Sequence, residues 1–280
     1  MMEKGIDISC WNEVDDFAKL KKAGYTFVII RAGFGKLASQ KDSHFDNFYK
    51  RARDAGLKIG AYWYSYATTV DEALQEAKAC LECIKGKKFE MPIYYDIEED
   101  DTYATGKVNE IFLKFAEYLK SQRYIPGLYS STGYLDKYIK PETITNGKYP
   151  LWVAQWFTTC QYTGAPYQVW QYTENEHPPG VVGSCDADQC YATFDYIKKY
   201  GWNGYTATAT KTKPNPLIAD ELKAVLDVCA GKYGTGEARM KKLEAQHFNA
   251  NRIQNAVNEV SKATSVFGII NNLKAVGLYV

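Results

Sequence analysis

The first two hundred residues alternate between two periods, and that alternation leaves few architectures open. "GIDIS" (5–9), "TFVIIRAG" (26–33), "KIGAYWYSYA" (58–67) and "MPIYYDIE" (91–98) read as strands. Between them, residues 14–24, 43–56, 70–86 and 108–122 carry apolar side chains at helical spacing. The first two of these stretches end on a glycine suited to a C-cap. Four further strands follow with little helix between them: "IPGLYSS" (125–131), "PLWVAQW" (150–156), "YQVWQYT" (167–173) and "CDADQCY" (185–191). Eight strands with intervening helices predict an α/β fold, a parallel (β/α) barrel with few late helices. A doubly wound open sheet would want a Gly-rich phosphate loop after an early strand. "RAGFGK" (31–36) is only a fragment of one.

The pattern changes after residue 204. "GWNGYTATATKTKPNP" lacks apolar periodicity and is rich in Thr, Pro and Gly. It predicts a linker over 205–216 between a barrel over 1–204 and a helical domain over 217–280. Asn215 and Pro216 suit the N-cap and N1 positions of a helix with Ile218, Leu222, Val225, Leu226 and Cys229 on one face. Two more short helices complete a small three-helix bundle. An apolar tail, "SVFGIINNLKAVGLYV" (265–280), is expected to pack on the bundle or on another protomer.

Composition narrows the partners. Net charge is +1, which gives no global pull toward nucleic acid. No apolar run approaches the roughly 20 residues a membrane span needs, so neither nucleic acid nor membrane is an expected partner. The seven cysteines are odd in number and scattered, unlike a disulfide framework. "CLEC" (80–83) is a lone CxxC without a second pair, and only three histidines exist. Neither a metal nor a cofactor is expected.

The barrel reading gives the acids a common address, because active sites in this architecture sit at the C-terminal ends of the strands. Asp7 lies on the first strand, Asp96 and Glu98 on the fourth, and Asp186 and Asp188 on the last. Residues i and i+2 of a strand share a face roughly 7 Å apart, so Asp96 and Glu98 point inward together. Closing the barrel makes Asp7 and Asp186 neighbours. Mutual repulsion and partial burial would raise at least one pKa, giving a proton donor beside ionised partners. Glycoside hydrolysis needs that division of labour; a solvated acidic loop paired to Arg31 and to lysines needs none of it. Aromatic residues favour the former. Tyr62, Tyr64 and Tyr66 share a face on the third strand, Trp152 and Trp156 on the sixth, Trp170 and Tyr172 on the seventh. Ring faces suit the C–H faces of sugars. Arg31, Tyr62, Tyr64, Trp152, Trp156, Trp170 and Gln171 are therefore the candidate substrate-binding residues.

"GIDIS", "FVIIRAGFG", "GAYWYSYA", "YYDIE", "LWVAQW" and "QVWQYT" occur in an order and spacing that resemble the glycoside hydrolase family 25 lysozymes, barrel muramidases common among phage endolysins. The resemblance covers about residues 3–200. It implies Glu98 as proton donor, Asp96 as the second catalytic carboxylate, and Asp7 and Asp186 beside them. The last match is the loosest, since "CDADQC" stands where the family has "VDLN", and Asp188 is an alternative to Asp186. The resemblance also implies a substrate, bacterial peptidoglycan, cut between N-acetylmuramic acid and N-acetylglucosamine. Asp96 is left with three roles: nucleophile, electrostatic partner, or orienter of the 2-acetamido group. Residues 230–260 resemble the Cpl-seven-type cell-wall-binding repeat, with Tyr233, Gly234, Gly236 and Arg239 in its core. One copy would bind weakly, and dimerisation through this domain would restore avidity. "MMEKGIDISCW" lacks the apolar core of a signal peptide. The expectation is a protein made in the bacterial host cytoplasm that reaches the wall after release, as a phage endolysin. A bacterial autolysin, or a wall-binding protein with an inactive barrel, is the alternative.

Overall fold

A computed structural model describes residues 2–207, 219–246 and 248–261 of the chain. The chain divides near residue 208 into two compact units.

The first unit is a closed eight-stranded barrel. Its strands are β1 (Glu3–Ile8), β3 (Tyr25–Phe34), β4 (Lys58–Tyr64), β5 (Ile93–Asp96), β6 (Pro126–Ser131), β7 (Leu151–Ala154), β8 (Val169–Glu176) and β10 (Cys185–Cys190). A two-residue ribbon, β2 (Glu13–Val14) with β9 (Val181–Val182), lies outside the barrel. Helices α1 (Phe17–Lys22), α2 (Phe45–Asp54), α3 (Val70–Ile84), α4 (Asp100–Ala104) and α5 (Val108–Ser121) occupy the early crossovers. Two seven-residue helices, α6 (Thr132–Tyr138) and α7 (Pro141–Gly147), link β6 to β7. No helix separates β7 from β8, and α8 (Tyr196–Tyr200) follows the last strand. Local chemistry sets the boundaries. The Asp16 carboxylate caps α1 by accepting from the amides of Ala18 and Lys19. Thr69 caps α3 through Glu72 N–H.

One expectation is corrected. The barrel is not wholly parallel: β1 and β3 to β8 run together, but β10 runs antiparallel to both its neighbours, β1 and β8. The cause is the short link of residues 177–184 between β8 and β10. A parallel crossover needs about a dozen residues or more.

Alternation sorts the strands into two layers. Outward residues such as Ile6, Val28, Ile30, Ile59, Tyr95, Leu128 and Val153 join the helices in the larger core. Inward, Phe27, Ile29, Met91, Tyr94, Tyr129, Trp152 and Val169 pack a second, aromatic-rich core inside the barrel. Trp152 lies at its centre, 5.2 Å from Tyr94 and 4.3 Å from Tyr129 between ring centroids. Rings of this size fit because facing positions are small. A Cβ on Gly5 would come within 2.3 Å of the Phe27 ring, and one on Gly127 within 2.5 Å of Tyr94. Cys80 and Cys83, the CxxC pair, are buried in α3 with free thiols.

The second unit has helices α9 (Ala219–Cys229), α10 (Gly236–Ala245) and α11 (Ala250–Val260). Ala224, Val225, Val228, Tyr233, Leu243, Ile253, Ala256 and Val257 form its core. The buried stripe on α9 is narrower than the sequence suggested. Leu226 and Cys229 are exposed, each rotated about 100° from its buried predecessor on the helix. The expected linker is described only at 205–207, where the Tyr205 hydroxyl donates to Glu90 at the barrel base. Residues 208–216, Ile218 and the apolar tail lie outside the described residues.

Candidate active site

The C-terminal ends of the parallel strands surround a cavity of ≈ 730 Å³. Asp7, Arg31, Tyr62, Tyr64, Tyr66, Asp96, Glu98, Tyr129, Trp152 and Asp186 line it, with Phe34 and the Ser9–Asn12 turn. Eight sequence-predicted residues therefore meet in one place: Asp7, Arg31, Tyr62, Tyr64, Asp96, Glu98, Trp152 and Asp186.

The acids are set by strand pairing. Asp7 and Asp186 are direct cross-strand partners on β1 and β10. Because β10 runs down into the barrel, Asp186 enters at the rim and Asp188 lies one inward position deeper. Both alternatives from the sequence thus belong to the cluster, at different depths. Asp188 is fully buried, accepts from Trp152 Nε1 at 2.8 Å, and leaves its Oδ2 without a partner. Asp96 closes β5, is 3% exposed, and has an unpartnered Oδ1. Glu98 stands two residues on, beyond the last residue of the strand.

Burial and crowding act on these groups in one direction. Burial, then the charges of Asp188 and Asp186, holds the Asp7 carboxyl well above the usual range. Burial, then Glu98, does the same for Asp96. Burial, Asp186 and Glu99 push Glu98 up to about 7. Burial and Glu174 push Asp186 up to about 6. Arg31 does not neutralise the cluster outright, because its Nε is committed to Asp42 at 2.8 Å. The rim is thus a set of carboxyls whose proton affinity is raised, to about 7 at Glu98 and about 6 at Asp186, walled by rings. Among the described residues, no three His, Cys, Asp or Glu side chains are arranged to hold a metal ion.

Three expected substrate contacts fall elsewhere. Gln171 is 1% exposed and does not line the cavity. Its Nε2 donates to Asp7 at 3.0 Å and to Asp186 at 3.2 Å. Its Oε1 accepts from Tyr129 at 3.0 Å and from Trp156 Nε1 at 3.1 Å. Its polar atoms serve the acids from behind rather than a ligand in front. Trp156 stands on the loop after β7, 53% exposed, outside the cavity lining. Trp170 alternates with Gln171 and so faces away from the barrel interior, where its Nε1 donates to the Gln155 carbonyl at 2.7 Å. It shares that outward face with Tyr172, as their spacing required. Sequence reasoning missed Tyr129, Phe34 and the Ser9–Asn12 turn. Tyr129 carried a signal, since it lies on the inner parity of "PGLYSS". Trp11, 84% exposed in a turn, carried none.

In the C-terminal unit, Arg239 ties the repeat's core together. Its Nε donates to the Gly234 carbonyl at 2.8 Å and its Nη1 to Gln254 at 3.0 Å. Gly234 and Gly236 adopt left-handed φ of 75° and 59°, which glycine tolerates without strain. Tyr233 is buried and its hydroxyl donates to Gln246.

Comparison with known proteins places this architecture. Residues 223–260 match the CW_7 repeat. The autolytic lysozyme of Clostridium acetobutylicum is 29% identical over 186 residues, 66% of this chain and 55% of that protein. The modular autolysin LytC of Streptococcus pneumoniae, solved with a synthetic peptidoglycan ligand, superposes with a TM-score of 0.60 at 26% identity, over 68% of this chain and 47% of its own. The CTP1L endolysin does so with a TM-score of 0.60 at 27% identity, over 70% of this chain and 68% of its own. The chain thus spans about half the length of the first two relatives. The glycosyl hydrolases family 25 match runs over residues 6–181, taking in Asp7, Asp96 and Glu98 and stopping short of Asp186. A match over more than half the chain, on a barrel whose acids converge at one rim, shows that this chain belongs to glycosyl hydrolases family 25.

Proposed function

We propose that the protein is an N-acetylmuramidase that cleaves the β-1,4 bond between N-acetylmuramic acid and N-acetylglucosamine in bacterial peptidoglycan. The observation that carries this reading is the pairing of a proton-holding Glu98, at about 7, with Asp96 in one aromatic-walled cavity. The lysozyme and autolysin relatives support the substrate class.

Glu98 delivers its proton to the glycosidic oxygen as that oxygen leaves the anomeric carbon of the muramic residue. Positive charge then develops on the anomeric carbon. Carboxylates stabilise such a centre electrostatically. Asp96 is a poor standing nucleophile, since burial and Glu98 favour its neutral form. Its unpartnered Oδ1 suits it to accept from the 2-acetamido N–H and so aim the acetamido carbonyl at the anomeric carbon. Asp186, bridged to Asp7 by Gln171, raises the proton affinity of Glu98, and the pair places water. Tyr62 and Tyr64 offer the sugar rings their faces over a floor formed by the buried Trp152. The C-terminal repeat holds the enzyme on the wall, through the surface around Tyr233, Gly234, Gly236 and Arg239. The phage endolysin and the bacterial autolysin share this chemistry.

Glu98→Gln keeps the shape of the side chain and removes its proton. The variant should bind purified cell walls as the parent does and release muramic reducing ends at least about 10²-fold more slowly. Near-parental turnover would sink the assignment of Glu98. Equal turnover on chitin oligomers, which lack the lactyl group, would replace a muramidase with a chitinase.

A further inference from the structure

Glu98 raises a problem of support. The strand ladder ends at Asp96, so the residue that must hold a proton over the substrate hangs two positions beyond regular structure. Burial and the charges of Asp186 and Glu99 govern its proton, and no hydrogen bond is among those influences. The hydrogen-bonded support nearest to it acts on the backbone.

The backbone is held at the Ile97 carbonyl, the oxygen of the peptide that leads into Glu98. The Tyr103 hydroxyl lies 2.8 Å from that oxygen, and the Ser130 hydroxyl also lies 2.8 Å from it. The two hydroxyls are 2.7 Å from each other. Two protons serve three contacts, so at least one hydroxyl donates to the carbonyl while the other donates to it or to its neighbour. Both residues are buried: Ser130 is 0% and Tyr103 2% exposed. Ile97 is held on its other side too, where its N–H donates to the Tyr129 carbonyl at 3.2 Å, and its side chain is in the outer core. Ser130 comes from β6. Tyr103 comes from α4, the short helix just after Glu98, which folds back over the strand end. Thr102 pins that helix by donating to the Ala67 carbonyl at 2.8 Å, and the Tyr103 ring stacks on Tyr134 at 4.2 Å.

We propose that Tyr103 and Ser130 are positioning residues for Glu98, clamping the Ile97 carbonyl so that the peptide beyond the strand keeps the inward direction of β5. The inference rests on the reading of Glu98 as proton donor. It adds that the donor's aim comes from two hydroxyls that never touch the substrate. One hydroxyl alone leaves the peptide hinged on a single bond. With neither, the Glu98 side chain is free to swing toward solvent, where it loses the burial that keeps it protonated.

The test uses the full chain on purified cell walls, with Tyr103→Phe, Ser130→Ala, the double variant and Glu98→Gln in parallel. Phenylalanine keeps the stack on Tyr134 and removes only the hydroxyl. Each single variant should lower kcat severalfold. The double variant should lower it roughly 10- to 100-fold, as expected for a misplaced catalytic group. KM should stay within about twofold. The alkaline limb of the kcat profile should move down from about pH 7, because a solvated Glu98 gives up its proton more readily. A merely structural role would lower the Tm without moving that limb. A folded double variant with parental kcat and parental limb overturns the clamp, as does one that changes KM alone. Should the double variant fail to fold, Ser130→Ala decides on the same two readouts. If Glu98→Gln retains turnover, the donor assignment fails first. If Glu98→Gln is inactive and the hydroxyl variants match the parent, only the clamp fails.

Discussion

Asp186 acts on two neighbours at once. It pairs across the β1–β10 ladder with Asp7, and after burial its charge is the largest influence raising Glu98 to about 7. Asp186→Asn removes that charge and keeps the shape. The pKa of Glu98 should then fall toward, without reaching, the ordinary glutamate range, because burial persists. A general acid works while protonated, so activity is lost as pH rises through its pKa. The alkaline limb of kcat/KM should move to lower pH in the variant, with the steepest relative loss near pH 7. A limb that stays in place would separate Asp186 from Glu98. Strand periodicity made Asp96 and Glu98 legible in the sequence, because i and i+2 share a face. That rule alone does not locate Gln171. Period two gives the face a side chain takes but not its depth, and Gln171 lies behind the acids with its polar atoms already engaged. The support of Glu98 was equally hidden, since Ser130 is 32 positions away in the chain and Tyr103 belongs to a five-residue helix with no periodic signal.

At the scale of elements, the eight strands and the early helices were legible because their periods are strong and their boundaries carry caps and glycines. The direction of β10 was not read, although its information was present. Eight residues between Glu176 and Cys185 suit a return, not a crossover. That reversal is why the earlier of two aspartates two residues apart, Asp186, lies at the rim and Asp188 under it. The barrel interior imposes a second requirement that patterning does not show: ring against glycine. Gly5 faces Phe27 so closely that Gly5→Ala would place a methyl within 2.3 Å of the ring. The ring, itself fully buried, must shift. Overpacking of this kind costs roughly 1–3 kcal/mol, and thermal unfolding should show a Tm lower by several degrees. Gly5 pairs across the ladder with the deeper Asp188 and not with the rim pair Asp7 and Asp186, so kcat measured well below the Tm should stay close to the parental value. An unchanged Tm would mean that the aromatic core has slack.

At the scale of the whole molecule, two units bury separate sets of apolar residues. Barrel and bundle each bury their own apolar residues, in clusters that share no member. The cavity is lined wholly by residues of the first unit. The repeat match falls wholly in the second. Chemistry and wall attachment should therefore separate. A chain ending after residue 207 keeps Tyr205, whose hydroxyl donates to the buried Glu90 and closes the base of the barrel. Ending before Tyr205 would instead leave Glu90 with one donor fewer. The 207-residue chain should fold, and it should hydrolyse soluble glycan fragments with kcat/KM within about twofold of the full chain, since no cavity residue is lost. On intact walls it should be slower at low enzyme concentration, because it forfeits the local concentration that a tethered second site supplies. The gap should close as enzyme is raised toward saturation. Binding of the full chain and of the truncated chain to pelleted walls, each carrying Glu98→Gln to prevent digestion, measures the tether directly. Equal pelleting of the two chains would strip the C-terminal unit of its wall-binding role, while loss of activity on soluble fragments would show that the bundle supports the barrel rather than the wall contact.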